Sequence, residues 1–216
     1  MHKKKLFFQM RKFKEKILFV ATHNSGKLEE IKRLLAGFKI ELKSNKDFML
    51  TPPEETESTF IGNARIKAQC ASRKTGFPSL ADDSGLEVDS LRGAPGVLTA
   101  DWAETAEGRD FMVAMERVWT EVQKTGLNPP YRARFVSALV LAWPDGHDET
   151  FEGIVEGKLV WPLRGNNGHG FDPMFQPNGY EETFGEMNRW EKNIISHRGV
   201  AFNKLRKHCL VGYHLE

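Results

Sequence analysis

The chain has little cysteine and no long hydrophobic run, and each absence narrows the class of protein. Cys70 and Cys209 are its only cysteines, and their wide separation matches no metal-ligand pattern. We expect both to be buried or incidental thiols in a reducing compartment, which places the protein in the cytoplasm. No apolar run approaches the ~20 residues that cross a bilayer, so no membrane partner is expected.

Positive charge is concentrated at the start of the sequence. Residues 1–16 contain seven Lys or Arg and one Glu, a net of +6, although the whole chain carries only +2. This segment lacks the apolar core of a signal peptide and the Ser and Arg richness of a transit peptide. A basic arm can contact nucleic acid or an acidic membrane. We nevertheless expect residues 1–16 to be a disordered extension without a functional role, followed by a single two-lobed domain at 17–216.

The hydrophobic pattern predicts an α/β fold with an elongated mixed sheet. An apolar run at 17–21 predicts a buried strand, which a polar loop connects to a helix at 27–37. Alternating residues at 133–143 and 150–160 predict a long antiparallel hairpin. Further helices are predicted at 58–74, 109–124 and 200–210. Parallel-type units followed by a hairpin predict a mixed sheet flanked by helices, and we expect two lobes with the active site in the cleft between them.

Two adjacent carboxylates, Asp82 and Asp83, stand between two apolar runs. The following Ser84-Gly85 is a turn signal, so the sequence predicts a tight turn at a strand end, where α/β sheets commonly bind ligands. A carboxylate at such an end can bind Mg²⁺ or accept a proton from water. Taken alone, the segment is more often an Asx-turn with both acids solvated, so its neighbours must decide its role.

The segment Thr22 to Lys27, THNSGK, is predicted to be a loop at a helix start, where unpaired N–H groups and the helix dipole attract anions. It is not a P-loop, because that pattern needs an earlier glycine and Leu28 stands where its Mg²⁺-binding Ser or Thr would be. An ordinary kinase or GTPase is therefore disfavoured. Backbone N–H groups, Asn24 and Lys27 can still hold a triphosphate, and the alternative is a routine βα loop.

Glu54 and Glu55 lie in a long polar loop at 43–57, a length that is usually functional or disordered. Mg²⁺ prefers one or two carboxylates together with water and phosphate oxygens. The ordinary alternative is that both acids are solvated. Glu54 matters to the chemistry only if the fold brings it to Asp83.

The last third of the chain supplies an unusual group of polar and aromatic residues. Phe171, in a Gly-rich loop, can stack on a purine, while Asp172 can accept from a ring N–H or order the loop. Their alternative roles are a core phenylalanine and a turn aspartate. Lys192, His197 and Arg198 concentrate positive charge suited to an anion or a carbonyl-rich base. They can equally form a solvated helix face and a capping segment.

Six segments in a fixed order make a more specific pattern than any one of them. They are Thr22-His23-Asn24-x-x-Lys27, Glu54-Glu55-Thr56-x-x-Thr59-Phe60-x-x-Asn63-Ala64, Ala81-Asp82-Asp83-Ser84-Gly85-Leu86, Gly93-Ala94-Pro95-Gly96, Gly170-Phe171-Asp172-Pro173 and Ile195-Ser196-His197-Arg198-Gly199. Together, over about residues 17–208, they resemble the inosine triphosphate pyrophosphatase family. The resemblance implies a homodimeric, Mg²⁺-dependent enzyme that hydrolyses dITP, ITP or XTP to the monophosphate and pyrophosphate. No nucleic-acid partner is expected.

The resemblance also implies roles for individual residues. Asp83 would activate water as the base and bind Mg²⁺, with Glu54 as the other metal ligand. Glu55 is the near neighbour and a less favoured substitute for Glu54, and Asp82 is a supporting carboxylate. The implied substrate contacts are Thr22, His23, Asn24, Ser25, Gly26, Lys27, Ser84, His169, Gly170, Phe171, Asp172, Lys192, His197 and Arg198.

Purine selection has a physical basis in this set. Hypoxanthine and xanthine present the acceptor O6 where adenine presents an amino group. Donors from Arg198 and from a protonated or suitable tautomer of His197 would pair with O6, and each donor left unpaired costs about 1–3 kcal/mol. Guanine also carries O6, so its rejection needs a further feature at the 2-position. Two alternatives stay open: a pyrophosphatase for pyrimidine or modified nucleotides, and a non-catalytic nucleotide- or nucleic-acid-binding protein that uses the basic arm.

Overall fold

The structure is a computed structural model of the chain and describes residues 10–212. The strands are β1 Ile17–Val20, β2 Glu41–Ser44, β3 Ser79–Val88, β4 Glu104–Thr105, β5 Gly108–Arg109, β6 Arg132–Ala142, β7 Asp148–Leu159 and β8 Phe175–Pro177. The α-helices are α1 Ser25–Leu35, α2 Asn45–Phe48, α3 Phe60–Thr75, α4 Phe111–Lys124, α5 Arg189–Ile195 and α6 His197–His208. Among these residues, no helix has the length and apolar character needed to cross a bilayer.

Six strands form one mixed sheet in the order β2-β1-β3-β6-β7-β8. β1 pairs in parallel with β2 and β3, whereas β3, β6, β7 and β8 pair in antiparallel fashion. The predicted mixed sheet and the long β6–β7 hairpin are therefore confirmed. Helix α1 connects the parallel pair β1 and β2, whereas a short turn connects the antiparallel pair β6 and β7, as these two kinds of pairing require.

The sheet carries different helices on its two faces. On one face, α1 and α6 bury Ile31 and Leu205 against Leu18 of β1. On the opposite face, the small residues Ala64, Ala68 and Ala71 of α3 pack on β6 together with Ala138 and Val140. Small side chains let a helix approach the sheet closely, so α3 brings its polar residues near the strand edges.

The predicted turn at Ser84-Gly85 is wrong, because β3 continues without interruption from Ser79 to Val88. Its register with β6 is unbroken along the whole strand, from Ser79 opposite Ala142 to Val88 opposite Ala133. Gly85 is required by packing rather than by a turn: a Cβ there would meet the Thr99 hydroxyl and lie 2.6 Å from the Gly96 carbonyl oxygen. The two aspartates therefore belong to a strand and point to opposite faces.

The domain packs residues that precede the predicted boundary at 17. Phe13 is 1% exposed in the same apolar cluster as α1 and α6, and its N–H donates to the Cys209 carbonyl at 2.9 Å. The Trp143 indole donates to Glu15 at 2.9 Å. The charge of residues 1–16 predicted a disordered segment, because the basic residues around Phe13 outnumber this apolar side chain, which packs in the core. Residues 1–9 of the predicted extension lie outside the described residues.

Candidate active site

A cleft of about 1000 Å³ opens where β1 ends beside β3. Of the β3 residues, only Ser79 and Leu80 pair with β1. From Ala81 onward, β3 therefore has no strand neighbour on the β1 side. Both aspartates, which follow directly, are consequently reached from one cleft although their side chains diverge. All predicted site residues line this cleft except Ser25 and Glu54.

The loop before α1 is held by its own side chains. The Asn24 side chain caps α1 by accepting from the Lys27 N–H at 3.0 Å, and Asn45 donates to the Thr22 carbonyl at 3.0 Å. The His23 ring lies 2.8 Å from the Leu50 carbonyl oxygen. Asn24 is thus a helix cap, and the anion-attracting feature that remains is the start of α1 itself.

Asp82 lies at the centre of a closed network on the α1–α6 face. It is 2% exposed, and it contacts Arg198 at 3.0 Å, Lys27 at 2.8 Å and Ser137 at 2.6 Å. Burial by itself would raise the pKa of Asp82, but the two cations outweigh burial and hold that pKa well below its ordinary value. This carboxylate stays ionised and has its oxygens occupied, as a supporting residue would.

Arg198 is committed to the same network. Its guanidinium also pairs with Glu30 and donates to the Ser84 hydroxyl at 3.0 Å. Of the three Arg198 guanidinium nitrogens, only Nε is buried without a hydrogen-bond partner among residues 10–212. Nε is therefore the Arg198 donor that is left to meet O6 of a purine.

Asp83 is the opposite case, on the α3 face. It is 8% exposed; Oδ1 lies 2.8 Å from the Lys67 ammonium, and Oδ2 is buried without a partner in the part of the chain that the structure describes. Burial raises the pKa of Asp83 and is opposed only in part by Lys67 and Lys27. A buried carboxylate with an open oxygen and a raised pKa suits a proton acceptor or a metal ligand.

The acidic loop brings Glu55, and not Glu54, to Asp83. Lys67 bridges the two acids, with its ammonium 2.9 Å from Glu55 and 2.8 Å from Asp83. Glu54 is exposed and does not line the cleft. Across residues 10–212, no group of three or more His, Cys, Asp or Glu could hold a metal ion. The protein therefore offers two carboxylates, which fits Mg²⁺ bound together with phosphate oxygens and water.

The Gly-rich loop exposes the His169 ring to the cleft and buries the ring of Phe171, which had been predicted to stack on a base. Phe171 is 1% exposed and packs edge-to-face on Phe111 with ring centroids 5.8 Å apart, so it has no open face for a base. His169 is exposed in the cleft and lies 5.1 Å from the same Phe111 ring. Burial lowers the pKa of His169. Any ring that stacks on a base from this loop is His169.

Asp172 fixes the Gly-rich loop through contacts to the loop backbone and to Lys192. It is 2% exposed, accepts from the His169 backbone N–H and pairs with the Lys192 ammonium. Burial raises the pKa of Asp172, and Lys192 opposes that shift. Asp172 therefore orders the loop, which was one of the two roles that the sequence left open for it.

His197 is a neutral, buried ring. It is 6% exposed and stacks on Phe135, with centroids 4.8 Å apart and an interplanar angle of 14°. Burial, together with Arg198 and Lys192, holds the pKa of His197 well below its ordinary value, which favours a neutral tautomer over the protonated form. Nδ1 is buried without a partner among the described residues. It is the polar atom left for a ligand.

Several residues of the site were missed by sequence reasoning. Lys67, Glu30 and Ser137 complete the contacts of the predicted acids and of Arg198. Ser137 had a signal, since a lone hydroxyl in the apolar run of β6 is a buried polar group that needs a partner. Lys67 adjoins the alanine stripe of α3, but only the packing of that helix shows which way it points.

The fold and the site together define an α/β protein with an anion-attracting helix start and a pair of metal-compatible carboxylates in one cleft. A profile of the Ham1 family matches residues 18–208. The chain belongs to the Ham1 family, and the family membership predicted from the six segments is confirmed.

Individual relatives match almost end to end. A dITP/XTP pyrophosphatase of Ruegeria pomeroyi is 55% identical over 202 residues, covering 94% of this chain and 99% of that protein. A dITP/XTP pyrophosphatase of Agrobacterium fabrum is 49% identical over 212 residues, covering 93% of this chain and 99% of that protein. The solved structure of a Ham1 protein from Coxiella burnetii matches with a TM-score of 0.82 at 33% identity, covering 89% of this chain and 98% of that chain.

Proposed function

We propose that this protein hydrolyses the non-standard purine nucleotides dITP, XTP and ITP to their monophosphates and pyrophosphate. The observation that carries the proposal is the position of the open Asp83 oxygen in the same cleft as the start of α1. A triphosphate attracted to the helix start would therefore lie beside a buried carboxylate. The near full-length relatives named dITP/XTP pyrophosphatase support this substrate class.

Asp83 and Glu55 are the residues that would hold Mg²⁺, and Glu55 replaces the predicted Glu54 in this role. When bound, Mg²⁺ neutralises the triphosphate and stabilises the charge on the departing pyrophosphate. Asp83 accepts a proton from the attacking water as the link between the α- and β-phosphates breaks. Its raised pKa favours that transfer, because an ordinary carboxylate is a weaker base.

The positive side chains of the cleft orient the substrate. Lys27, at the start of α1, is held by Asp82 at 2.8 Å and faces the cleft beside the proposed triphosphate position. Asp82 thus supports the chemistry by fixing Lys27 and Arg198 rather than by meeting the substrate itself. Lys192 is likewise held by Asp172, which keeps a cation at the other wall of the cleft.

The base-selecting end combines one exposed ring with buried donors and acceptors. His169 offers a face for stacking, and its lowered pKa keeps it neutral near pH 7. The Arg198 Nε–H is a donor suited to O6 of hypoxanthine or xanthine. Opposite the adenine amino group the same donor would lose its partner, at a cost of about 1–3 kcal/mol.

Mg²⁺ as the particular metal, a homodimer and a cytoplasmic location complete the proposal. The oxygen-only donor pair supports Mg²⁺. The two cysteines are free thiols, as in a reducing compartment. The homodimer rests on the family resemblance, and light scattering after size exclusion tests it: a mass of one chain would overturn it.

The substrate assignment is tested by pyrophosphate release from dITP, XTP, dATP, dGTP and dUTP, with Mg²⁺ and with a chelator. We expect release from dITP and XTP far above the other three, and none without the metal. Equal rates on all the purines would contradict the specificity. A preference for dUTP would favour the pyrimidine alternative, and tight binding without release would favour a non-catalytic protein.

A further inference from the structure

Lys67 occupies the position between the two carboxylates assigned to the metal. Its ammonium lies 2.8 Å from Asp83 Oδ1 and 2.9 Å from Glu55 Oε2, and its side chain is 15% exposed. These are direct ion pairs rather than contacts through water. Lys67 thus pairs with both members of this acidic pair.

The position of Lys67 follows from the packing of α3. Ala64 and Ala68 lie fully buried against the sheet, so the helix axis is close to β6 and the side chain of Lys67 reaches along the sheet to β3. A lysine has a flexible four-carbon stem and a compact charge. Its head group can leave the two acids without any movement of α3.

A divalent ion and this ammonium compete for the same oxygens. Asp83, Glu55 and Lys67 together carry a charge of −1, and two cations placed on the same carboxylates repel each other. A metal ion arriving alone would have to displace Lys67 without offering it a new partner. A metal ion arriving with a triphosphate brings phosphate oxygens, which can accept the displaced ammonium.

We propose that Lys67 is a positioning residue that holds Asp83 and Glu55 in the absence of metal and transfers to the phosphates when metal and nucleotide enter together. This inference rests on the proposed function. It makes the binding of metal and nucleotide cooperative, since each ligand removes a cost that the other would otherwise meet. The protein would therefore bind the divalent ion poorly until nucleotide is present.

Calorimetric titration of the nucleotide-free protein with Mg²⁺ and Mn²⁺ tests this competition. In Lys67→Gln we expect metal affinity without nucleotide to rise by about tenfold, a usual size for such coupling. The titration is then repeated with the non-hydrolysable α,β-methylene analogue of dITP. The analogue should strengthen metal binding in the wild type and have a much smaller effect in Lys67→Gln.

Two matched variants separate competition from a general loss of positive charge. Lys74→Gln removes the same charge from the same helix and the same cleft, but Lys74 is exposed and lies about two helical turns beyond Lys67 on α3. It should leave nucleotide-free metal affinity within about twofold of the wild type. Lys67→Arg keeps a cation between the acids and should stay weak in metal binding, while Lys67→Met serves if the glutamine variant does not fold.

Unchanged or weaker metal binding in the folded neutral variants would overturn the inference. An equal gain in Lys74→Gln would do the same, because bulk charge would then explain the effect. Failure of the proposed function is a separate outcome: the wild type would release no pyrophosphate from dITP or XTP, whatever the metal titrations show.

Discussion

Asp82 and Asp83 are neighbours on one strand, yet they belong to two different environments. Asp82 faces α1 and α6, where two cations and two hydroxyls occupy its oxygens. Asp83 faces α3, where a single lysine contacts one oxygen and the other has no partner among the described residues. The first environment lowers the pKa of its carboxyl group and the second raises it. The two faces of the sheet thus give neighbouring carboxylates different partners and opposite pKa shifts.

The largest expected effect is on activity and comes from Asp83→Asn. Removing the proposed base should lower dITP hydrolysis by about 10²–10⁴-fold. Stability should change less than in Asp82→Asn, because the substitution relieves the cost of burying the Asp83 charge while Lys67 loses this partner but keeps Glu55. Steady-state pyrophosphate release together with urea unfolding measures both. Full activity in a folded Asp83→Asn protein would contradict the assignment of the base.

Asp82→Asn should act mainly on stability. It leaves Lys27 and Arg198 without their shared carboxylate, and breaking a buried ion pair costs about 3–5 kcal/mol. Urea unfolding measures the loss, with Ser137→Ala as a milder control that removes one hydrogen bond from the same acid. If Asp82→Asn were as stable as the wild type and lost only activity, the contrast between the two aspartates would be reversed.

Gly85→Ala tests whether the acidic segment is a packed strand. An added methyl group would clash with Thr99 and with the Gly96 carbonyl, and such overpacking costs about 1–3 kcal/mol. Gly37→Ala is the control, because the structure gives a Cβ there nothing within 4 Å. Thermal unfolding distinguishes them. A Gly85→Ala protein as stable as the control would point to a loose turn after all.

The smallest effect concerns Asp172, which is buried like Asp82 but has one cationic partner instead of two. Its raised pKa means that it binds more protons when folded, so its contribution to stability is greatest below its unfolded value of 3.8 and is lost as the pH rises through the folded pKa. The difference in unfolding free energy between the wild type and Asp172→Asn should therefore decline as the pH rises from below 3.8 through the folded pKa of Asp172. If the unfolding free energies of the wild type and Asp172→Asn changed in parallel with pH, the raised pKa of Asp172 would be ruled out.

Sequence patterns predicted the features that depend on neighbouring residues along the chain. The apolar run of β1 and the helix after it follow from local periodicity, although α1 begins at Ser25, within the predicted loop from Thr22 to Lys27, because Asn24 caps it there. The alternation in β6 and β7 predicted their hairpin for the same reason. The six segments and their order were sufficient to predict the family, because both can be read from the sequence without knowing which segments meet in the fold.

Other features depend on which segments meet, and no local pattern contains that information. Glu54 and Glu55 are equivalent acids in a sequence, but only Glu55 reaches the cleft. Phe171 looked like a stacking ring, but the neighbouring Phe111 helps to enclose it, and His169 takes the exposed position. Burial is a property of distant contacts, so these exchanges within a motif required the tertiary structure.

The sequence by itself determined that two carboxylates stand together beside an anion-attracting loop in a mixed α/β sheet. The tertiary structure alone decided their division. Pairing with β6 keeps β3 extended through Asp82 and Asp83, and an extended strand sends successive side chains to opposite faces. The helices that cover each face then supply its cations, which pair fully with Asp82 and leave one oxygen of Asp83 without a partner among the described residues.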